Sequence, residues 1–214
     1  MAYRRTERVI ARLAARHEAI VAAARALASE SGMGAVQIVP VAERAGIAAG
    51  TVYRYFPSKD DLVAALVAVI SEQEIAAIRR AAAAAPGPLS ALSAALMAFA
   101  TRALLERRLA QAMLAAAADA DAAAERPAFR HRLAAEFATH IRAAIAAGHL
   151  PEQDEAFAAV AVIGAMMEGL VGSLSGAPET PEARHGAAQA LTLFALRALG
   201  VVDARARGLV VQAG

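Results

Sequence analysis

Residues 41–62, VAERAGIAAGTVYRYFPSKDDL, constrain the fold more than any other stretch of the chain. Ala42 and Gly46 lie four residues apart, which places a small residue where two steeply crossed helices touch and a glycine in the bend between them. Ser58 and Asp61 have the spacing of a capping box at the start of a further helix. The stretch therefore predicts a helix-turn-helix followed by a third helix, with inward-facing side chains at Val41, Ala45, Ile47, Val52 and Tyr55.

The outward face of the second helix is small at its N-terminal end and polar or basic beyond it. Such a face suits the major groove of DNA, because arginine can donate to guanine O6 and N7, tyrosine can pack on a thymine methyl, and glycine lets the backbone come close. The alternative is an ordinary helical hairpin, since short Ala/Gly matches arise by chance. The face comprises Ala48, Ala49, Gly50, Thr51, Tyr53 and Arg54.

The run AGIAAGTVYRYFPSKDDL resembles the signature of the TetR (tetracycline-repressor) family of bacterial transcriptional regulators, commonly AGVSxGTLYxYFxSKExL. The resemblance reaches from about His17 to Leu66. It implies a homodimeric regulator, expected to be a repressor, that binds a palindromic DNA operator and is released by a small-molecule effector. It also implies phosphate contacts from Thr51, Tyr55 and Lys59, and positions nearest the bases for Ala49, Gly50, Tyr53 and Arg54.

The chain departs from the family pattern where both hairpin helices begin. The first helix, expected over about residues 37–45, has Val36 and Gln37 where Ser or Thr is usual, and then Pro40, which is tolerated only in a first turn. The second has Ala48 in place of a capping serine. These losses shift the expected phosphate contacts onto the remaining polar side chains.

Composition favours an all-α chain. Of 214 residues 58% are hydrophobic but only 4% aromatic, and alanine, the best helix former, makes up most of the difference. Alternating β-branched runs are nearly absent. We expect about nine helices, in a three-helix DNA-binding domain and a helical-bundle domain for effector binding and dimerisation. Without cysteine there is neither a disulfide nor a thiolate metal site, and no cofactor or metal is expected.

The run Pro86-Gly87-Pro88 interrupts the helical pattern, after a long helix expected from Lys59 to about Ala84. We place the DNA-binding domain at residues 1–58, the effector-binding and dimerisation domain at 59–200, and a C-terminal tail at 201–214. Further helices are expected over about 89–105, 107–118, 126–147, 154–174 and 181–199. Asp119 and Asp121 are expected in a solvated loop rather than a metal site.

Positive charge is concentrated at the N-terminal end. Residues 1–60 hold nine of the 22 Arg and Lys residues and only five of the 20 Asp and Glu residues. On a helix, the arginines that recur every four residues would form one stripe able to follow DNA phosphates. The alternative is a solvated face that reflects an arginine-rich genome. The stripe consists of Arg4, Arg8, Arg12 and Arg16, with Arg5 beside it.

The longest uninterrupted apolar run, residues 156–167, is shorter than the roughly 18 to 20 residues needed to span a bilayer. The N-terminus is charged rather than apolar, unlike a secretory signal. We expect a cytoplasmic protein that does not enter a membrane.

Apolar stripes on the last two expected helices are the candidate dimer interface. Two such hairpins would form a four-helix bundle about a twofold axis, and the alternative is burial within one subunit. The stripes consist of Phe157, Val160, Ala161, Gly164, Met167 and Val171, and of Leu191, Phe194, Ala195 and Ala198.

Larger side chains among the alanines of the central helices are candidates for an effector pocket, because methionine adapts to varied apolar ligands. Each could equally be part of the core. The candidates are Met97, Phe99, Met113, Phe137, His140 and Met166. Nothing in the sequence identifies the effector or the operator.

Two other classes of protein remain to be weighed. A helical-bundle enzyme is disfavoured, because the chain has no paired-carboxylate Glu-x-x-His motif, nucleophile elbow or phosphate loop. An architectural DNA-binding protein without an effector is the stronger alternative.

Overall fold

The computed structural model describes residues 2–114, 125–172 and 176–214. Within these residues every regular element is helical, so the all-α prediction is confirmed. The ten helices are α1 (Ala2–Ser31), α2 (Ile38–Arg44), α3 (Ala49–Tyr53), α4 (Lys59–Ala83), α5 (Pro88–Leu105), α6 (Arg107–Leu114), α7 (Glu125–Ala146), α8 (Glu155–Val171), α9 (Pro181–Ala198) and α10 (Asp203–Ala213), with a short 3-10 helix at Met33–Ala35.

Helices α1, α2 and α3 pack around a small apolar core, which we call the head. Ile20 of α1, Val41 of α2 and Val52 of α3 are fully buried there. Gly46, in the turn between α2 and α3, has a φ of 65°, which residues with a side chain rarely adopt. The turn therefore depends on the glycine that the spacing singled out.

Helix α4 begins at a capping box. The Ser58 hydroxyl accepts a hydrogen bond from the Asp61 N–H at 3.1 Å, and the Asp61 carboxylate accepts one from the Ser58 N–H at 3.0 Å. Two backbone donors that the helix leaves unpaired are thereby satisfied. The helix then continues for 25 residues from the head into the second domain. The boundary at residues 58 and 59 stays a prediction.

Ser58→Ala is expected to lower the free energy of unfolding by about 1 kcal/mol, because the first turn of α4 loses its side-chain acceptor. Urea unfolding followed by circular dichroism measures this loss. Ser31→Ala is the matched control, since Ser31 is exposed at the end of α1 and caps no helix. Equal losses in the two variants would contradict the role given to the capping box.

Helix α5 is the central helix of the second domain and packs against α4, α7, α9 and α10. Leu92, Ala95 and Leu96 are fully buried on it. Its 18 residues have a mean hydropathy of 1.4, so by length and composition α5 alone among the described helices could cross a membrane. However, 56% of that stretch is buried inside the fold, which is the position of a core helix.

Most of the predicted C-terminal tail, residues 201–214, forms helix α10, which was not among the expected helices. Ala206 and Val210 lie four residues apart and are buried against α5 and α9, a spacing that puts both on one helical face. Asp203 in the first turn accepts a hydrogen bond from Arg207 at 2.9 Å, one turn later. With α10, the described residues form ten α-helices rather than the expected nine.

Candidate nucleic-acid interface

Helix α3 has an apolar inner face and a polar outer face. Val52 is fully buried and anchors the helix to the head, whereas Tyr53 is 53% exposed. Arg54, directly after the helix, is exposed and makes no ion pair within the described part of the chain. Gly50 is exposed, and a Cβ added there would meet no atom within 4 Å. The outer face is therefore open to a large partner.

Four other predicted contact residues lie on or beside this face. Thr51 and Tyr55 are half-buried, and Tyr55 packs against the core with its ring. Ala49 is half-buried at the start of α3, and Lys59 is half-buried as the first residue of α4. Partial burial restricts the rotamers of these side chains, which lowers the entropic cost of holding them in one orientation.

Both hairpin helices begin without a side-chain cap. Gln37 and Ala48 occupy the cap positions in extended conformation, and neither makes a cap hydrogen bond with its side chain. The departure from the usual Ser or Thr thus has a structural consequence, because the first turns of α2 and α3 lack a side-chain acceptor. Pro40 falls at the third position of α2, where its missing N–H costs no helical hydrogen bond.

Contacts to α1 hold the hairpin in place. Arg44 at the end of α2 forms an ion pair with Glu30 of α1, and these hydrogen bonds lower the pKa of the Glu30 carboxyl below its usual value. His17 of α1 stacks at a tilt on Phe56, with ring centroids 4.9 Å apart. The orientation of α3 is therefore fixed by packing and charge together.

The predicted arginine stripe lies on α1. Arg12 is exposed and Arg16 is half-buried, while the side chains of Arg4, Arg5 and Arg8 lie outside the described part of the structure. Contact between this stripe and DNA stays a prediction.

A small cavity lies between α4, α5, α6 and α7. Its volume is about 30 Å³, roughly the room for one water molecule, whereas pockets for drug-sized ligands have roughly 300 to 1,000 Å³. A larger ligand can therefore enter only if the wall opens. The apolar wall consists of Ile70, Phe99, Ala103, Leu109, Ala110, Met113 and Phe129, and the polar wall of Glu74, Arg102 and Glu106.

Only part of the predicted effector-pocket set reaches this cavity. Phe99 and Met113 line it, and Phe137 packs edge-on against Phe99 with ring centroids 6.0 Å apart. Met97 lies near α9 instead, with its sulfur 3.9 Å from a threonine hydroxyl, and Met166 is fully buried. The set thus surrounds α5 on more than one side.

The polar wall of the cavity was not found by sequence reasoning. Arg102 donates hydrogen bonds to both carboxylate oxygens of Glu74, at 2.8 and 2.5 Å. Arg25 of α1 donates to both carboxylate oxygens of Glu106, at 2.8 Å each. The partners are 28 and 81 residues apart in the chain, so no helical periodicity could have paired them.

His140, the remaining pocket candidate, lies beside Glu136 of its own helix. Its Nε2 atom is 3.5 Å from Glu136 Oε1, and Glu136 also accepts a hydrogen bond from Arg79 at 2.8 Å. Burial lowers the pKa of His140 below its ordinary value, against the opposing influence of the Glu136 carboxylate. His140 does not line the cavity.

A lowered histidine pKa stabilises the fold above the unfolded value of about 6.5, and this contribution is lost as the pH falls below it. Between about pH 7 and pH 5 we therefore expect the free energy of unfolding to fall more steeply in wild type than in His140→Gln. Urea unfolding at both pH values tests this, with exposed His131→Gln as control. If the free energy of unfolding has the same pH dependence in wild type and in His140→Gln, the lowered pKa of His140 is contradicted.

Helices α8 and α9 carry an exposed apolar face. Phe157 is 72% exposed, Val160 60% and Phe194 54%. Ala161, Gly164 and Ala198 are exposed as well. We call these six residues the α8–α9 face.

The other predicted interface residues lie toward the interior of the same subunit. Met167 and Ala195 are buried, at 9% and 0% exposure, and Val171 and Leu191 are half-buried. A Cβ added at Gly169 would lie 2.4 Å from Leu191 Cδ2, so a larger residue at this contact between α8 and α9 would displace the leucine side chain. Only the α8–α9 face remains uncovered.

Residues 20–66 match the family model described as "Bacterial regulatory proteins, tetR family". These residues form a TetR-family domain. The chain is 53% identical over 53 residues to the HTH-type transcriptional repressor KstR of Rhodococcus jostii strain RHA1, covering 25% of each chain. It is 44% identical over 78 residues to KstR of Mycolicibacterium smegmatis, covering 36% of this chain and 38% of that one. The match thus spans about a quarter to two fifths of the length of these curated relatives.

Solved structures resemble the whole chain in fold. RolR in complex with resorcinol has a TM-score of 0.66 at 22% identity, covering 91% of this chain and 92% of that one. FadR from Bacillus subtilis in complex with stearoyl-CoA has a TM-score of 0.70 at 17% identity, covering 86% and 98%. The chain therefore shares its overall fold with these two proteins over most of its length.

Proposed function

We propose that this chain is a transcriptional repressor that binds a palindromic DNA operator as a homodimer and releases it when a small molecule binds. The observation that carries the proposal is the outer face of α3. Tyr53 and Arg54 are exposed there, while the opposite face is locked into the head by Val52. A chain with this role acts in the bacterial cytoplasm, where its operator lies.

The residue types on and around α3 divide into two kinds of contact. Arg54 has the fork of donors that pairs with guanine O6 and N7, and Tyr53 offers a ring to a thymine methyl. Thr51, Tyr55 and Lys59 offer hydroxyl and ammonium donors to phosphates, which position the head without reading sequence. The small Ala49 and Gly50 let the helix come close to the base edges.

Dimerisation is supported by the α8–α9 face. Three large apolar side chains at more than half exposure on adjacent helices form a patch of the kind that marks an interaction site. A second copy that covers the same face across a twofold axis would make a four-helix bundle. The two α3 helices would then reach half-sites about 34 Å apart, one turn of DNA.

Effector control is supported by the fold and by the cavity in the second domain. RolR and FadR, which share the fold, have been solved with resorcinol and stearoyl-CoA. In this chain the cavity holds about one water-sized volume, so a ligand must favour a more open conformation. If DNA prefers the closed state, a ligand that prefers the open state lowers the affinity for DNA. By linkage, bound DNA lowers the affinity for the ligand by the same factor.

The test is a binding titration of wild-type protein with the DNA fragment upstream of its own gene and with a scrambled fragment of equal length. We expect tighter binding to the native fragment, with affinity that falls steeply as salt rises. Release of the native fragment by a small apolar compound would separate a regulator from an architectural protein. Equal affinity for both fragments at every salt concentration would contradict the proposal.

A further inference from the structure

The cavity has an open neighbour. A cleft of about 590 Å³ lies between α1, α4 and the end of α5, lined by Arg25, Glu72, Gln73, Ala76, Arg80, Arg102 and Glu106. Arg102 and Glu106 also line the cavity. These two side chains therefore form the partition between a small apolar space and a large polar one.

Arg102 and Arg25 keep hydrogen-bond donors that their ion pairs do not use. Both oxygens of Glu74 accept from Arg102, and both oxygens of Glu106 accept from Arg25. The Nε atom of Arg25 is buried and has no hydrogen-bond partner. Arg102 uses only Nε and Nη2 in its pair with Glu74. Both arginines could therefore donate to a further acceptor.

The cleft also has an excess of positive charge. Three arginines and two glutamates line it. Arg80 is exposed there and makes no ion pair within the described residues. An incoming anion thus meets unused donors and a net positive lining, whereas an incoming cation meets carboxylates that already accept from arginines, Glu106 from Arg25 and Glu72 from Arg132.

We propose that the effector is an anion with an apolar body. The body enters the cavity, and the carboxylate or phosphate accepts hydrogen bonds from Arg102 and Arg25. These bonds replace the ion pairs of Arg102 with Glu74 and of Arg25 with Glu106. The cavity wall suits such a body, because Phe99, Phe129 and Met113 offer two rings and an adaptable thioether. This inference rests on the proposed function, since it names the class of ligand that the regulator binds.

The same partition connects the ligand site to the head. Arg25 belongs to α1, and Glu106 caps the end of α5 just before α6. Arg108 of α6 also donates to the backbone carbonyl of Glu30 in α1. An anion that removes Arg25 from Glu106 leaves α1 with one fewer link to α6. The position of the head then depends on whether the cleft is occupied.

The test uses three probes of one shape and different charge: benzoate, benzamide and benzamidinium. Each is titrated into the full-length protein without DNA, by calorimetry or ligand-observed NMR. We expect benzoate to bind at least about tenfold more tightly than benzamide, and benzamidinium to bind most weakly. Equal affinities, tighter binding of benzamidinium, or no binding of any probe would overturn the proposal.

Two variants sharpen the result in opposite directions. Arg102→Met is expected to weaken benzoate binding at least about tenfold. Glu74→Gln is expected to tighten it, because the charged competitor for Arg102 is gone, and a gain of affinity cannot result from misfolding. The matched control is Arg142→Met, whose ion pair with Glu155 lies outside the cavity and the cleft. Unchanged or weaker binding by Glu74→Gln would also overturn the proposal.

The outcome is separable from that of the proposed function. If the protein does not bind the native DNA fragment specifically but binds the three probes in the expected order of affinity, the repressor proposal fails and the anion site stands. If it binds the fragment specifically but does not prefer benzoate, the assignment of an anionic effector fails alone.

Discussion

Arg54→Ala is expected to weaken binding to the native operator fragment by about 5- to 150-fold, because a bidentate arginine–guanine contact discriminates by about 1 to 3 kcal/mol. Tyr53→Ala in the same chain is expected to add to the loss by removing an apolar contact. Binding to scrambled DNA should change far less, since nonspecific affinity comes mainly from phosphate contacts. Fluorescence anisotropy with labelled fragments measures both affinities.

The control for this prediction is Arg205→Ala. Arg205 is exposed on α10 and makes no ion pair among the described residues. It therefore matches Arg54 in charge and exposure but lies on a different helix. Its loss should leave operator affinity nearly unchanged. If Tyr53→Ala and Arg54→Ala bind the native fragment as well as wild type, α3 does not read DNA.

Phe157→Glu combined with Phe194→Glu is expected to convert the dimer to monomers and to abolish operator binding at concentrations where wild type binds. Each substitution would bury a carboxylate in an apolar interface without a partner. Both phenylalanines are more than half exposed in the single subunit, so its own fold should tolerate the change. Sedimentation velocity measures the association state, and circular dichroism verifies the fold.

Val211→Glu is the matched control for the dimer variants. Val211 is 74% exposed on α10, away from the α8–α9 face. The control should sediment as wild type does. A double variant that remains dimeric, or a wild type that is already monomeric at the concentrations that bind DNA, would rule out the α8–α9 face as the interface.

Much of the fold can be predicted from short local signals in the chain. The glycine of the hairpin turn, the capping box at Ser58 and Asp61, and the break at residues 86–88 act on neighbouring backbone groups, so their effect is readable from a few residues. Predicted and observed helix ends agree closely for α4, α5 and α9. The outer face of α3 was readable for the same reason, because the helical spacing separates the buried Val52 from the exposed Tyr53 on one short helix.

The contacts that give the second domain its chemistry were not readable. Pairs such as Arg25 with Glu106 join helices far apart in the chain, and an arginine on a helix surface has many carboxylates within sequence reach. The neighbours of each α5 side chain were also not predictable, because nearly the whole circumference of this helix is apolar. Met97 and Phe99 have similar sequence contexts but lie on different sides of the helix. The sequence analysis does not predict α10, because the apolar face of this helix becomes apparent only when α5 and α9 cover it.

The most direct test of the central claim counts protein chains on DNA by native mass spectrometry, with a palindromic fragment from upstream of the gene and its scrambled counterpart. Two chains are expected on the intact palindrome, on half-sites about one helical turn apart, and this complex is expected to be lost when either half-site is scrambled. Binding of a single chain whether or not the second half-site is intact would contradict operator binding by a dimer. Equal binding to the scrambled fragment would contradict it as well.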